Sequence, residues 1–120
     1  MLTFRFIDVE PDRAKKLVNE LRNDLIKRGI DPDRVTSPPG DKSNMSVVAD
    51  ILNIVVQEPL HAGAAIMELA VIANSLRELL RREVVTVILD WKVNVRHSDS
   101  VQVVQKAVQD AARADLDASG

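Results

Sequence analysis

The stretch VVTVILDWKVNVRH, residues 84–97, decides the fold because its apolar side chains recur with the period of a β-strand. An apolar side chain occupies every odd position, namely Val85, Val87, Leu89, Trp91, Val93 and Val95. The alternation continues for about twice the length of a typical strand. The segment is therefore either one long strand or two strands joined by a tight hairpin.

The choice between these alternatives depends on the loop that a hairpin would need. A two-residue loop, Asp90-Trp91, would pair odd positions with even ones and put the apolar side chains on opposite faces. A three-residue loop, 90–92, keeps them on one face. Such loops favour Gly or Asn at the residue with left-handed backbone, and the sequence places neither there. We expect the long strand, with a glycine-free hairpin as the alternative.

The N-terminal region predicts a strand followed by an amphipathic helix. Leu2, Phe4 and Phe6 alternate with polar residues, as in a strand. Pro11 suits the first turn of a helix, and Gly29 suits the left-handed residue that ends one. Between them an apolar stripe has helical spacing and comprises Ala14, Leu17, Val18, Leu21 and Leu25.

The middle of the chain predicts a short strand, a loop and two more helices. We place the strand at about 34–37 and the loop at 38–44, where a Pro-Pro-Gly start excludes helix. A second helix then has a buried stripe made of Val48, Ile51, Leu52 and Val55. A third helix spans about 60–82. Its residues 62–73 are apolar almost all round, so this helix needs cover on every side.

The C-terminal region predicts a last helix. Asp99 and Gln102 have the spacing of a capping pair at its start. Apolar residues follow at helical spacing, namely Val101, Val104, Val108 and Ala111. Residues after about Ala114 are expected to fray.

The length and these patterns together predict one domain of the α+β class. A chain of 120 residues suffices for one domain and is too short for two. We expect residues 1–113 to form this domain, with a frayed tail at 114–120. The predicted sheet is small and mixed, with the first strand, the short second strand and residues 84–97, and about four helices pack against it.

Composition excludes several classes of function. The chain has no cysteine, so it has no disulfide, thiol nucleophile or cysteine-based metal site. A net charge of -2 gives no strong attraction to nucleic acid or to an anionic membrane. Asp8 and Glu10 stand where a signal peptide needs an apolar run. We expect a cytoplasmic chain that uses no cofactor and binds neither nucleic acid nor membrane.

No motif in the sequence predicts catalysis. His61 and His97 lack a metal-binding spacing, and helix capping explains Ser98 and Ser100 better than a catalytic role does. The run GDKS at 40–43 resembles the end of a phosphate-binding loop, but it lacks the first glycine and has an extra residue before the lysine. We predict no enzyme and no metal site. The alternative is a small-ligand or nucleotide-binding regulatory domain whose loop site comprises Pro38, Pro39, Gly40, Lys42 and Ser43.

The order of the parts resembles a known protein family. The runs ELRNDLIKRGID, RVTSPPGDKS and LRELLRRE, followed by VTVIL, are similar to the effector-associated constant component family of bacterial conflict systems. The resemblance covers about residues 2–111, but Leu79-Leu80 stand where the family has a tryptophan, and the last strands lack its glycine-bearing turn. It implies an adaptor without catalytic residues that links effector or signalling modules, such as peptidases or nucleotide-driven signalling proteins.

Two features of the sequence predict that the chain self-associates, as a homodimer. The apolar segment 62–73 begins with small residues that let helices approach closely. A long strand at 84–97 would offer an unpaired edge, which can pair with its copy across a two-fold axis. The predicted interface comprises Ala62, Ala65, Leu69, Trp91, Val93 and Val95.

Overall fold

The described chain forms one five-stranded sheet with three α-helices. The computed structural model describes residues 1–37, 51–56 and 63–119. In chain order the elements are β1 Leu2–Ile7, α1 Pro11–Lys27, a short 3₁₀ helix Pro32–Arg34, β2 Val35–Thr36, β3 Ile51–Ile54, α2 Gly63–Arg82, β4 Thr86–Leu89, β5 Val93–Arg96 and α3 Val101–Ser119. The α+β class is confirmed, with three α-helices in these residues where about four were expected.

The strands lie in the order β2-β3-β1-β4-β5, and each neighbouring pair is antiparallel. The expectation of a mixed sheet is therefore wrong for the described strands. From β1 to β4 the elements follow the order β-α-β-β-α-β, with β1 between β3 and β4, which is the split βαβ arrangement of ferredoxin-like folds. The pair β5 and α3 extends this arrangement at the β4 side.

One face of the sheet forms the core together with the helices. Its inward side chains are buried and comprise Leu2, Phe4, Phe6, Val35, Leu52, Ile54, Val87, Leu89 and Val95. Helix α2 packs against both α1 and α3 as well as contributing to this core. Its apolar segment is therefore covered on the sides that face these helices, but Ile66 and Met67 are exposed, so the expected cover on every side is incomplete in the described chain.

Helix α1 begins and ends where the sequence predicts. Pro11 is its first residue, and Gly29 adopts a left-handed φ of 105° just after it. The N–H of Gly29 donates to the carbonyl of Ile26, and the N–H of Ile30 donates to that of Leu25. These two bonds form a Schellman motif, whose accompanying hydrophobic contact comes from the buried Ile30.

The predicted second helix is wrong where the structure describes it. Residues Ile51–Ile54 form β3, which pairs with β1 on one side and with β2 on the other. The apolar spacing of Ile51, Leu52, Ile54 and Val55 fits a helix and a strand equally well over so short a run. These residues form a strand because they pair with two neighbouring strands, and the apolar pattern of the sequence does not reveal that pairing.

The segment 84–97 is a hairpin, so the expectation of one long strand is wrong. Leu89 pairs with Val93 across a three-residue loop, which keeps the odd positions on one face as the parity argument requires. Asp90 and Trp91 both adopt left-handed backbone, with φ of 51° and 63°. Aspartate tolerates this conformation, whereas a tryptophan is strained in it.

Tertiary hydrogen bonds replace the missing glycine in this turn. The N–H of Asp90 donates to the carbonyl of Thr3 on β1 at 2.7 Å. The N–H of Lys92 donates to the carbonyl of Leu89 at 3.0 Å. The central strand therefore holds the turn in a conformation that its own residues do not favour.

Helix α3 differs from its prediction at both ends. The hydroxyl of Ser100 accepts from the N–H of Val103 at 3.3 Å and caps the first turn, so the predicted capping pair of Asp99 and Gln102 is wrong. The helix continues to Ser119, beyond the point where fraying was expected.

Candidate interaction surface

The outer edge of β5 is closed by Asp99. The N–H of Arg96 donates to Oδ2 of Asp99 at 2.8 Å, and the N–H of Asp99 donates to the carbonyl of Arg96 at 3.1 Å. In an antiparallel edge strand every second residue points these groups outward. An added strand would need them, so Asp99 occupies the outward pair of Arg96 that such a strand would use.

The opposite edge of the sheet, β2, is closed in the same way. The Nε of Arg22 donates to the carbonyl of Val35 at 3.0 Å, and the N–H of Val35 donates to the carbonyl of Pro32. Both outward groups of Val35 are therefore satisfied within the chain. In the described strands, the outward backbone groups of Arg96 on β5 and of Val35 on β2 are thus engaged within the chain, and the predicted strand pairing across a two-fold axis stays a prediction.

The face of the sheet that points away from the helices is here named the open face. In its middle, Arg5 on β1 lies between Ile51 on β3 and Ile88 on β4. Of its side chains only Thr3 is buried, and its hydroxyl hydrogen-bonds Asn53. The described open face comprises Thr3, Arg5, Ile7, Thr36, Ile51, Asn53, Thr86, Ile88, Asn94 and Arg96.

The charges on the open face have one sign in the part of the sheet that the structure describes. Arg5 and Arg96 contribute two positive charges, and the described strands place no Asp or Glu on this face. The whole chain has 18 acidic and 16 basic residues. The carboxylate of Asp99 lies next to Arg96, and Arg5 has further interactions within the chain, so these two arginines do not by themselves make the open face basic.

Trp91 extends the open face at the β4–β5 turn. Its side chain is 57% exposed. The guanidinium carbon of Arg5 lies 5.6 Å from the centre of the indole ring, within the range of a cation–π contact. A strained backbone thus holds the chain's single tryptophan beside the central arginine of the open face.

Exposed apolar side chains gather at one end of the sheet, here named the turn end. Leu2 at the start of β1 pairs with Ile54 at the end of β3, and Phe4 pairs with Leu89 at the end of β4. The start of β1, the end of β3 and the β4–β5 turn therefore all lie at this end of the sheet. Of the eight large apolar side chains exposed in the described residues, six belong to elements at this end, namely Met1, Val55, Ile66, Met67, Trp91 and Val93.

Arg34 fixes the start of α2 at the turn end. Its Nε and one terminal nitrogen donate to the carbonyl of Val55 at 2.9 and 2.7 Å. The same terminal nitrogen forms an ion pair with the buried carboxylate of Glu68 on α2. Ile66 and Met67 are therefore held near the end of β3, where they are 52% and 71% exposed.

A second polar network joins α1 to α2 on the helical side. Asp24 accepts hydrogen bonds from Ser75 and from Arg28, and Arg28 also pairs with Glu78. Burial on its own raises the pKa of the Asp24 carboxyl, but the hydrogen bonds from Ser75 and Arg28 and the nearby positive charges lower it to below the ordinary 3.8. These groups satisfy one another, so the network indicates a structural role.

The residues predicted to form sites fall into three groups. Pro38, Pro39, Gly40, Lys42, Ser43 and Ala62 lie outside the described residues, as does His61. Ala65, Leu69 and Val95 are buried in the core and cannot contact a partner, so their assignment to an interface is corrected. Trp91 and Val93 are exposed, at 57% and 37%.

Among the described residues no group of three or more His, Asp or Glu side chains could hold a metal ion. A depression lined by Asp8, Glu10 and Arg13 is open, and Arg13 is engaged in an ion pair with Glu83. The described helices include none that is long and apolar enough to cross a membrane.

Sequence reasoning missed the open-face residues Arg5, Ile51 and Ile88. A signal was present, because even positions of residues 84–97 include Ile88 and the strand LTFRFI has Ile7 on its polar side. A solvent-facing strand surface usually carries polar residues. Isoleucine beside arginine is therefore unusual on such a face.

Comparison of the chain with models of protein families, with curated proteins and with solved structures finds no match in any of the three.

Proposed function

We propose that this chain is a non-catalytic protein-binding module that works as an adaptor. The observation that carries the proposal is the gathering of six exposed apolar side chains at the turn end, next to an open face. Contiguous exposed apolar surface on a soluble domain marks a place where another protein binds. Most of the exposed large apolar side chains of the described residues lie at the turn end, and this is where we propose that a partner binds.

The residue types at these surfaces support the proposal. Tryptophan, methionine and arginine are enriched at protein interfaces, and tryptophan and arginine carry a large share of the binding energy. Trp91, Met67 and Arg5 are of these types. The resemblance described above implies an adaptor that links effector modules in a bacterial conflict or signalling system, and we retain this role as part of the proposal.

The partner bound at the turn end includes, in our proposal, a second copy of this chain. An apolar end with closed sheet edges favours contact through side chains over strand pairing, so we propose a homodimer that buries Ile66 and Met67. The alternative of a ligand-binding loop concerns Pro38 to Ser43, which lie outside the described residues, and stays a prediction.

Light scattering of three proteins tests the role of the turn end. We expect the wild type to exceed its monomer mass of 13.3 kDa at micromolar concentration. We expect Met67→Glu to return it to the monomer, because a charge at an apolar interface is costly to bury. The matched control is Val84→Glu, which changes a residue of similar exposure, 74%, at the opposite end of the sheet.

A wild-type mass of 13.3 kDa at every concentration would contradict the homodimer. Equal masses for the two variants would show that the turn end is not the interface. Circular dichroism of both variants checks that each remains folded.

A further inference from the structure

We propose that Met67 is an oxidation site through which a peroxide controls binding at the turn end. The proposal rests on the protein-binding function proposed above and concerns the regulation of the same surface. Two observations carry it, which are the places of the sulfur atoms in the chain and the exposure of the Met67 side chain.

The sulfur atoms of this chain are restricted in type and in place. The chain has three methionines and no cysteine, so thioethers are its only sulfur groups. Met45 lies outside the described residues, and Met1 and Met67 belong to the turn end, where they are 56% and 71% exposed. The core cluster of the described residues contains no methionine. An oxidant of methionine therefore changes the proposed binding surface and leaves the described core unchanged.

The fold holds Met67 in an accessible position. It precedes Glu68 on α2, whose buried carboxylate forms an ion pair with Arg34. Arg34 also donates to the carbonyl of Val55, so the start of α2 is fixed to the end of β3. Glu68 faces inward, and Met67, its neighbour around the helix, faces solvent. The thioether is thus open to a small oxidant in the separated chain.

The reaction transfers one oxygen atom to sulfur. A lone pair on Sδ of Met67 attacks one oxygen of hydrogen peroxide, the O–O bond breaks, and the other oxygen leaves as water after a proton transfer. The thioether is oxidised to the sulfoxide and the peroxide is reduced. The reverse step uses a methionine sulfoxide reductase with a thiol reductant, which becomes a disulfide while the sulfoxide oxygen leaves as water. The modification is therefore reversible.

The sulfoxide is unsuited to an apolar interface. Its oxygen is polar and accepts hydrogen bonds from water. Burying it beside apolar side chains such as Ile66 removes these bonds without replacing them. Oxidation of Met67 therefore favours the separated chains. Because the proposed dimer covers Met67, association and oxidation compete for the same side chain.

Peroxide treatment followed by light scattering tests the proposal. We expect mass spectrometry to find one added oxygen on the peptide that contains Met67, and self-association to weaken by about tenfold or more. Methionine sulfoxide reductase with dithiothreitol should restore the association. Circular dichroism should stay unchanged, because the described core contains no methionine. Met67 should be oxidised more slowly at protein concentrations at which the dimer forms.

Two leucine variants assign the effect to one sulfur atom. Met67→Leu keeps an apolar side chain of similar volume, so it should still self-associate, and peroxide should no longer dissociate it. Met45→Leu is the matched control, and it should remain as sensitive to peroxide as the wild type.

Several results would overturn the proposal. Unchanged self-association of a wild type whose Met67 is fully oxidised would show that the sulfoxide does not act on the interface. Dissociation of Met67→Leu by peroxide to the same extent as the wild type would assign the effect to another residue. Both results would leave the proposed homodimer in place. A wild-type mass of 13.3 kDa at every concentration before oxidation would instead reject the homodimer, and this inference with it.

Discussion

The two faces of the sheet are built from the same strands but differ in the burial and the type of their side chains. On the inner face Phe4, Val87 and Leu89 are completely buried under the helices. On the open face their sequence neighbours Arg5 and Ile88 remain partly exposed. Because side chains alternate along a strand, each strand contributes at once to stability and to a surface. The inner face therefore holds the fold together, whereas the side chains of the open face contribute less to burial in the described part of the chain.

The largest expected effect separates the two faces at adjacent positions of β4. Leu89→Ala should lower the free energy of unfolding by about 2–5 kcal/mol, because it leaves a cavity in the core. Ile88→Ala, its neighbour on the open face, should cost less than about 1.5 kcal/mol. Urea unfolding of both variants measures the two values, and equal losses would show that the open face is as buried as the inner one.

A smaller effect is expected where the edge of the sheet meets solvent. Asp99→Ala leaves the N–H of Arg96 without its carboxylate and should cost about 1 kcal/mol. It should also make β5 a template for strand addition, so that the apparent mass rises with concentration more steeply than in the wild type. Asp110→Ala, at an exposed position of α3, is the control. If the two variants behave alike, the closure of the β5 edge has no protective role.

The pH dependence of stability tests the helical side of the molecule. The folded-state pKa of Asp24 lies below its ordinary 3.8, so its contribution to stability is present above that pH and is lost as the pH falls through the folded value. Asp24→Asn should therefore be less stable than wild type at neutral pH, by a modest amount because the carboxylate is a third exposed. The difference should shrink below pH 3.8. A difference that is constant with pH would exclude a role for its charge.

The smallest expected change in stability concerns Trp91. Trp91→Gly relieves a left-handed backbone and loses the contact with Arg5, so the two effects nearly cancel and the free energy of unfolding should change by less than about 1 kcal/mol. Light scattering of the same variant should show weaker self-association, because Trp91 is one of the exposed apolar side chains at the turn end. A large loss of stability with unchanged self-association would assign Trp91 to the fold and not to the surface.

The sequence predicted those elements whose own pattern determines them. Helix α1 and its left-handed Gly29 follow from an apolar stripe between a proline and a glycine, and β1 follows from strict alternation. The strand β3 was missed, and the β4–β5 turn was given only as the alternative to one long strand, because tertiary neighbours decide both. β3 is fixed by pairing with β1 and β2, and the turn is fixed by the hydrogen bond from Asp90 to Thr3.

The interaction surface could be predicted only in part, because it also depends on tertiary neighbours. Trp91 and Val93 were assigned to an interface and are exposed, whereas Ala65, Leu69 and Val95 were assigned to it and are buried. An apolar pattern does not distinguish a side chain covered by the chain itself from one left for a partner. That distinction depends on which face the helices cover, and the order of strands in the sheet determines it.

Isoleucine methyl NMR tests most directly whether the turn end is the surface through which the chain associates with its copy. Ile66 is exposed at the turn end, Ile54 and Ile72 are buried in the core, and Ile7, Ile51 and Ile88 lie on the open face. As the protein concentration is raised through the micromolar range, we expect the methyl signals of Ile66 to shift while those of Ile54 and Ile72 stay in place. Shifts confined to the open-face isoleucines, or no shift of any methyl with concentration, would contradict the account.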